Sequence, residues 1–216
     1  MEDVASGLWR CHAVFMKFSP LPLITTAFAL ALVACVDTTG LAGTLSHVPH
    51  PKTNANAAVV VTEYSDFQCP ACRGAATGIV QPLIAQYGRT IRFELKHFPL
   101  RSLHRYALEA AEAGECAGDQ GKFWEFADLA YEKQPDLNSD ALSEWGKELG
   151  LDMDLYERCR SSHIKRDAIL AEYQEGVDKG VGGTPTFFVN GQRVETGVDT
   201  LSAAIEAAGK GLQQRL

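Results

Sequence analysis

Val59-Val60-Val61-Thr62-Glu63-Tyr64-Ser65-Asp66-Phe67-Gln68-Cys69-Pro70-Ala71-Cys72 is the stretch from which the fold can be read. It opens on a β-branched run, as expected of a strand buried on both faces. It ends in two cysteines separated by two residues. From Pro70 to Tyr87 the pattern becomes helical, with Gly88 as a natural stop. Thr90-Ile91-Arg92-Phe93-Glu94-Leu95-Lys96 then alternates as a second strand. Strand, helix, strand at this spacing makes a β-α-β unit with a parallel pair.

A dithiol at the start of a helix has a physical logic. Backbone N–H groups and the positive end of the helix dipole stabilise a thiolate on the first cysteine, so Cys69 is the candidate nucleophile. Pro70 suits the first turn, where its missing N–H has no partner to lose. Cys72, one turn deeper, is the candidate resolving thiol. A CxxC pair can also be half a zinc site, here completed by Cys116 and Cys159, or an inert crosslink. A CxxC beside a β-α-β pattern favours redox chemistry.

From Leu103 to Lys179 the pattern is helical almost throughout, broken at Gly118, Pro135 to Ser139 and Gly150, and three or four helices fit. Strand character returns at Thr186-Phe187-Phe188-Val189, and Asn190-Gly191 signals a hairpin into Gln192 to Glu195. Thr200 to Ala208 reads as a closing amphipathic helix. The order implies an α/β domain in β-α-β and β-β-α halves, residues 58–102 and 180–216, with an all-helical lobe inserted over 103–179.

The 216 residues carry 20 Lys+Arg against 27 Asp+Glu, a formal net charge of -7, which argues against nucleic acid as a partner. Six cysteines are many for a cytosolic chain of this size. After Lys17, an apolar run from Leu21 to Val33 leads into Leu32-Val33-Ala34-Cys35. Such a pattern reads as an export signal over 1–34, and its length is short of the roughly 20 residues of a membrane span. The Leu-Val-Ala-Cys tetrad resembles the bacterial lipoprotein box. It implies lipidation at Cys35, a true start at Met16, and attachment to the membrane in the periplasm or cell envelope. Residues 35–57, rich in Thr, Gly, Pro, Asn and His, read as a tether. In an oxidising compartment the two cysteines of the lobe are expected to pair as Cys116–Cys159. His97, His104 and His163 show no metal-ligand spacing, and Phe123, Trp124 and Phe126 read as lobe core.

Four motifs in order carry a family resemblance: Glu63 to Cys72; His97-Phe98-Pro99-Leu100; Gln120-Gly121-Lys122-Phe123-Trp124; and Gly183-Thr184-Pro185-Thr186-Phe187-Phe188-Val189-Asn190-Gly191. Over Ala58 to Ala208 the chain resembles the DsbA/BdbD-type branch of the thioredoxin superfamily. The resemblance implies a thioredoxin-like fold with the lobe between its halves, and oxidation of cysteine pairs in exported proteins without metal or organic cofactor. It also implies reoxidation by a membrane quinone-linked enzyme of the DsbB or VKOR type. Cys69 and Cys72 become the active pair. Pro70, Ala71 and a cis Thr184–Pro185 peptide become the substrate-binding surface, and Glu63 becomes a buried acid relaying the Cys72 proton. The dipeptide Pro70-Ala71 lacks the histidine found between the cysteines of strongly oxidising DsbA proteins. A reductase or isomerase on the same fold and a thiol metallochaperone remain the alternatives.

Overall fold

The computed structural model describes residues 50–214. The export signal, the start at Met16 and the lipidation at Cys35 lie outside the described residues.

A four-stranded sheet in the order β2-β1-β3-β4 forms the centre. The β-branched run makes β1 (Val59–Ser65), which is central because both of its faces are apolar. Strand β2 (Ile91–His97) lies parallel to it, with Val61 opposite Phe93 and Ser65 opposite His97. On the other side β3 (Thr186–Val189) is antiparallel, with Glu63 opposite Phe187 and Tyr64 opposite Thr186. The Asn190-Gly191 turn, both residues at positive φ, returns the chain as β4 (Gln192–Val194). Positive φ at both positions is what a two-residue hairpin asks for.

The helical run from Pro70 divides into α1 (Pro70–Ala75), a π-helical turn (Ala76–Val80) and α2 (Gln81–Tyr87). A proline inside a helix has no N–H to give and crowds the carbonyl four residues back. The widened turn directly before Pro82 gives that carbonyl, of Gly78, the room it needs. With α8 (Val198–Gln213) this run covers one apolar layer, in which Val61, Leu83, Phe93, Phe187, Leu201 and Ile205 are buried. Helix α8 is longer at both ends than the Thr200–Ala208 segment that periodicity marks.

The lobe holds five α-helices rather than three or four: α3 (Ala107–Gly118), α4 (Phe123–Glu132), α5 (Ser139–Glu148), α6 (Met153–Ser162) and α7 (Arg166–Asp178). The extra break falls at His163, which ends α6 with a left-handed φ of 53° and has no glycine or proline to announce it. Asn138 accepts from the N–H groups of Asp140 and Ala141 to start α5, and Asp152 accepts from that of Leu155 to start α6. Phe67, from the loop after β1, rests on α3 at Gly114, where a Cβ would stand 2.9 Å from its ring. Phe123, Phe126 and Trp145 surround the same ring or its neighbours, so the lobe core and the active-site loop are one apolar cluster.

The chain enters the lobe after β2 and leaves it before β3, both at the end of the sheet where β1 runs into Cys69. Residues 50–57, read from sequence as the end of a tether, instead lie along β2. The Lys52 N–H donates to the Phe93 carbonyl (3.0 Å) and the Thr53 hydroxyl to that of Ile91 (2.7 Å). Further back, His50 stacks on Phe123 at 4.4 Å.

Candidate active site

The loop from Asp66 to Cys69 is held from three directions. Asp66 Oδ1 accepts from the Gln68 N–H (2.7 Å), and its Oδ2 accepts from the Leu100 N–H (2.9 Å) and lies 2.7 Å from His104 Nδ1. Gln68 Oε1 accepts from the Tyr106 N–H (2.7 Å). From the lobe, the buried Gln134 amide donates to the carbonyls of Phe67 (2.8 Å) and Cys69 (3.0 Å). Both carbonyls are therefore satisfied without water, which buried backbone requires.

This bracing places Cys69 at the N-cap of α1, with Pro70 in the first turn. Pro70 and Ala71 are exposed, while Cys72 is fully buried behind them. Both thiols are free, so the described state is the dithiol. Across the cleft, Thr184–Pro185 is a cis peptide, and the Cys69 thiol lies 3.4 Å from the Thr184 carbonyl. The buried Thr184 hydroxyl faces both thiols.

The electrostatics divide the two thiols. The Cys69 thiol is held far below its ordinary value, at about 5, first by a hydrogen bond from Cys72 and then by the Thr184 hydroxyl and the N–H groups of Cys72 and Ala71, against the cost of burial. The Cys72 thiol is pushed far upward, first by burial, then by the hydrogen bond it gives to Cys69 and by the nearby Glu63 carboxylate. One sulfur is thus a thiolate at neutral pH and the other a firmly held thiol, the asymmetry expected of a nucleophile and its resolving partner.

Glu63 is 2% exposed, and burial raises its carboxyl to about 7, against smaller lowering by the Ser65 hydrogen bond and the Lys52 charge. Its Oε1 accepts from the Ser65 hydroxyl (2.8 Å), which in turn lies 2.8 Å from the Tyr131 hydroxyl of α4. Glu63, Cys69, Cys72, Thr184 and Pro185 are brought together, with Pro70 and Ala71 at the rim.

Cys116 and Cys159 lie apart from this group, in the lobe, joined by a disulfide with a Cα–Cα distance of 5.8 Å. That bond removes the two thiolates on which the four-cysteine zinc alternative drew. His97 is buried beside the loop, its Nε2 3.1 Å from Glu115 Oε1 and its backbone N–H donating to Glu172. It packs its ring edge against Phe67 rather than facing the thiols. His104, scattered in sequence, is the partner of Asp66.

Four residues of the site are given no role by the sequence: Ser65 and Asp66, which lie within the Glu63-to-Cys72 motif, and Tyr131 and Gln134, which lie in none. Ser65 is within reach of sequence reasoning, since residues two apart in a strand share a face and Ser65 follows Glu63 by two. Tyr131 and Gln134 arrive only by tertiary packing of the lobe.

Against known proteins, the family described as Thioredoxin matches residues 52–207. The chain is 41% identical over 173 residues to a Na(+)/H(+) antiporter NhaA 1 of Salinispora arenicola, covering 78% of this chain and 26% of the antiporter. It therefore spans about a quarter of that relative's length. Among solved structures, a thioredoxin-like oxidoreductase from Silicibacter pomeroyi has a TM-score of 0.66 at 25% identity, covering 75% of this chain and 92% of that one. Wolbachia pipientis alpha-DsbA1 gives 0.67 at 19% identity, covering 80% and 98%.

Proposed function

The chain belongs to the thioredoxin family, with the DsbA-like arrangement of a helical lobe between the two halves of the fold, and from that premise we propose that it is an exported thiol:disulfide oxidase. The observation that carries this reading is the pairing of a low-pKa Cys69 thiol, 3.4 Å from the carbonyl of a cis Thr184–Pro185 peptide, with a fully buried Cys72. A substrate strand laid against Thr184 would bring its own sulfur to Cys69.

In the oxidised enzyme, a substrate thiolate attacks Cys69 Sγ. The new S–S bond joins substrate to Cys69, and the old one breaks with its electron pair leaving on Cys72. Protonated Glu63 supplies the proton that turns this thiolate into a thiol. The substrate's second thiolate then attacks its own sulfur in the mixed disulfide and expels Cys69 as a thiolate. The product is a substrate disulfide and a reduced enzyme. Stabilising the departing Cys69 thiolate favours the reduced form and makes the disulfide a stronger oxidant.

The apolar run from Leu21 to Val33 and the Leu-Val-Ala-Cys tetrad support export and a lipid anchor at Cys35. Its substrates would be cysteine-containing exported proteins, with a quinone-linked membrane enzyme of the DsbB or VKOR type restoring the disulfide. The reduction potential of the Cys69–Cys72 pair tests the direction. A value of about -120 mV supports oxidation, and one of about -270 mV assigns the chain to reduction instead. Mass spectrometry of the mature N-terminus tests the anchor, and an unmodified Cys35 refutes it.

A further inference from the structure

Glu63 has to change protonation state in every half-reaction, yet its carboxyl is sealed from solvent. The described structure offers it one hydrogen-bonded route outward. The Ser65 hydroxyl has a single proton, and it is given to Glu63 Oε1 at 2.8 Å. The 2.8 Å contact between Ser65 and Tyr131 must then have the tyrosine as donor. Tyr131 stands on α4 in the wall of a cleft of about 540 Å³ between α1 and α4, shared with Arg73, Thr77, Gln81, Asp128 and Glu132. A cleft of that size carrying charged side chains and open to solvent holds water.

We propose that Ser65 and Tyr131 extend Glu63 into a proton relay that joins the buried Cys72 thiol to this cleft. The inference rests on the oxidoreductase reading above and adds to it two positioning residues, one of them supplied by the lobe. When Cys72 leaves as a thiolate, Glu63 gives it a proton and becomes a carboxylate. The carboxylate takes the Ser65 proton, Ser65 takes that of Tyr131, and Tyr131 takes one from cleft water. Each hydroxyl ends with the one proton it began with, and the net change is one proton moved from water to sulfur. Reoxidation runs the same chain backwards.

Burial and the charges of Glu63, Cys72 and Asp66 keep the Tyr131 phenol well above its ordinary value, so it stays a neutral hydroxyl able to donate and accept. The other charges facing the route are Lys52 and Cys69, which act on Glu63, and Arg73, Asp128 and Glu132 at the cleft. Lys52 is itself paired with Asp128 at 2.8 Å.

The test is single-turnover reduction of the oxidised full chain by dithiothreitol between pH 5.5 and 8.5, comparing wild type with Tyr131→Phe and Ser65→Ala. Below about pH 7 Glu63 already carries its proton and the relay is idle. Above it, the proton must arrive through the two hydroxyls. Both variants are expected within about twofold of wild type at pH 5.5 and roughly tenfold slower at pH 8.5. In a Glu63→Gln background, adding Tyr131→Phe should change nothing further. A variant-to-wild-type ratio that is flat across pH means that the hydroxyls are merely structural and overturns the relay alone. A wild-type disulfide reduced no faster than that of an unstructured peptide overturns the oxidoreductase reading and the relay with it.

Discussion

Replacing Glu63 by glutamine should stabilise the protein, and by an amount that depends on pH in a way the structure fixes. The carboxyl titrates at about 7 in the folded chain against 4.5 when free, because burial penalises its charge. Below pH 4.5 both states are protonated and the group costs nothing. Between 4.5 and about 7 the unfolded chain releases its proton while the folded one keeps it, so stability falls as pH rises. Above 7 the full penalty applies: a rise of about 2.5 in pKa, at about 1.36 kcal/mol for each whole step, or about 3 kcal/mol. The glutamine of Glu63→Gln keeps an acceptor for Ser65 but no charge, so its local cost is the same at every pH. Urea denaturation from pH 4 to 9 with Cys69 and Cys72 replaced by serine in both proteins isolates the effect, since both thiols couple to the Glu63 charge and would not cancel in the difference. The variant should gain about 3 kcal/mol on its Glu63 parent across that range, or roughly 6–12 °C in Tm at alkaline pH. A difference that stays constant with pH would refute the claim that Glu63 is buried as an acid.

Three further outcomes are expected. Alkylation of the reduced protein with iodoacetamide should rise with pH through a midpoint at about 5, label Cys69 and spare Cys72; a midpoint near the ordinary thiol value of about 8.5 would contradict the thiolate. Gln134→Ala leaves the Phe67 carbonyl unpaired, while the Cys69 carbonyl keeps the Arg73 N–H at 3.2 Å, and should cost about 1–3 kcal/mol in urea denaturation, less where water enters. Replacing Cys116 and Cys159 together by serine opens a loop with a sequence separation of 43 and should cost about 4 kcal/mol while leaving the Cys69 alkylation midpoint in place.

The local signals in the sequence locate the sheet and the dithiol well. The β-branched run of β1, the alternation of β2 and the Asn190-Gly191 turn are each set by neighbours in the chain, so each can be read without the rest. Ends and breaks are harder. The left-handed His163 that divides α6 from α7 is of a residue type that tolerates this conformation without announcing it, and its ring lies 3.0 Å from Glu112 on α3. Residues 50–57 look like linker because they make no regular element, yet they are fixed by hydrogen bonds to β2. In the site, the residues with a chemical signature are visible in the sequence, and those that act by holding others are not. Gln134 is one glutamine on a turn after α4, and only the packed lobe shows that it grips the loop before α1.

The lobe's two attachment points have a consequence for how such a molecule can diversify. Because the chain departs after β2 and returns before β3 at the same end of the sheet, an insert of any size is delivered to the rim of the reacting sulfur. New recognition surface can therefore be grown there, helix by helix, without disturbing the strand register beneath. The constraint on that freedom is specific: a replacement has to bring one amide to the Phe67 and Cys69 carbonyls, an imidazole to Asp66, a backbone N–H to Gln68 and a phenol to Ser65. A grafted lobe that carries those groups would inherit the chemistry along with the scaffold.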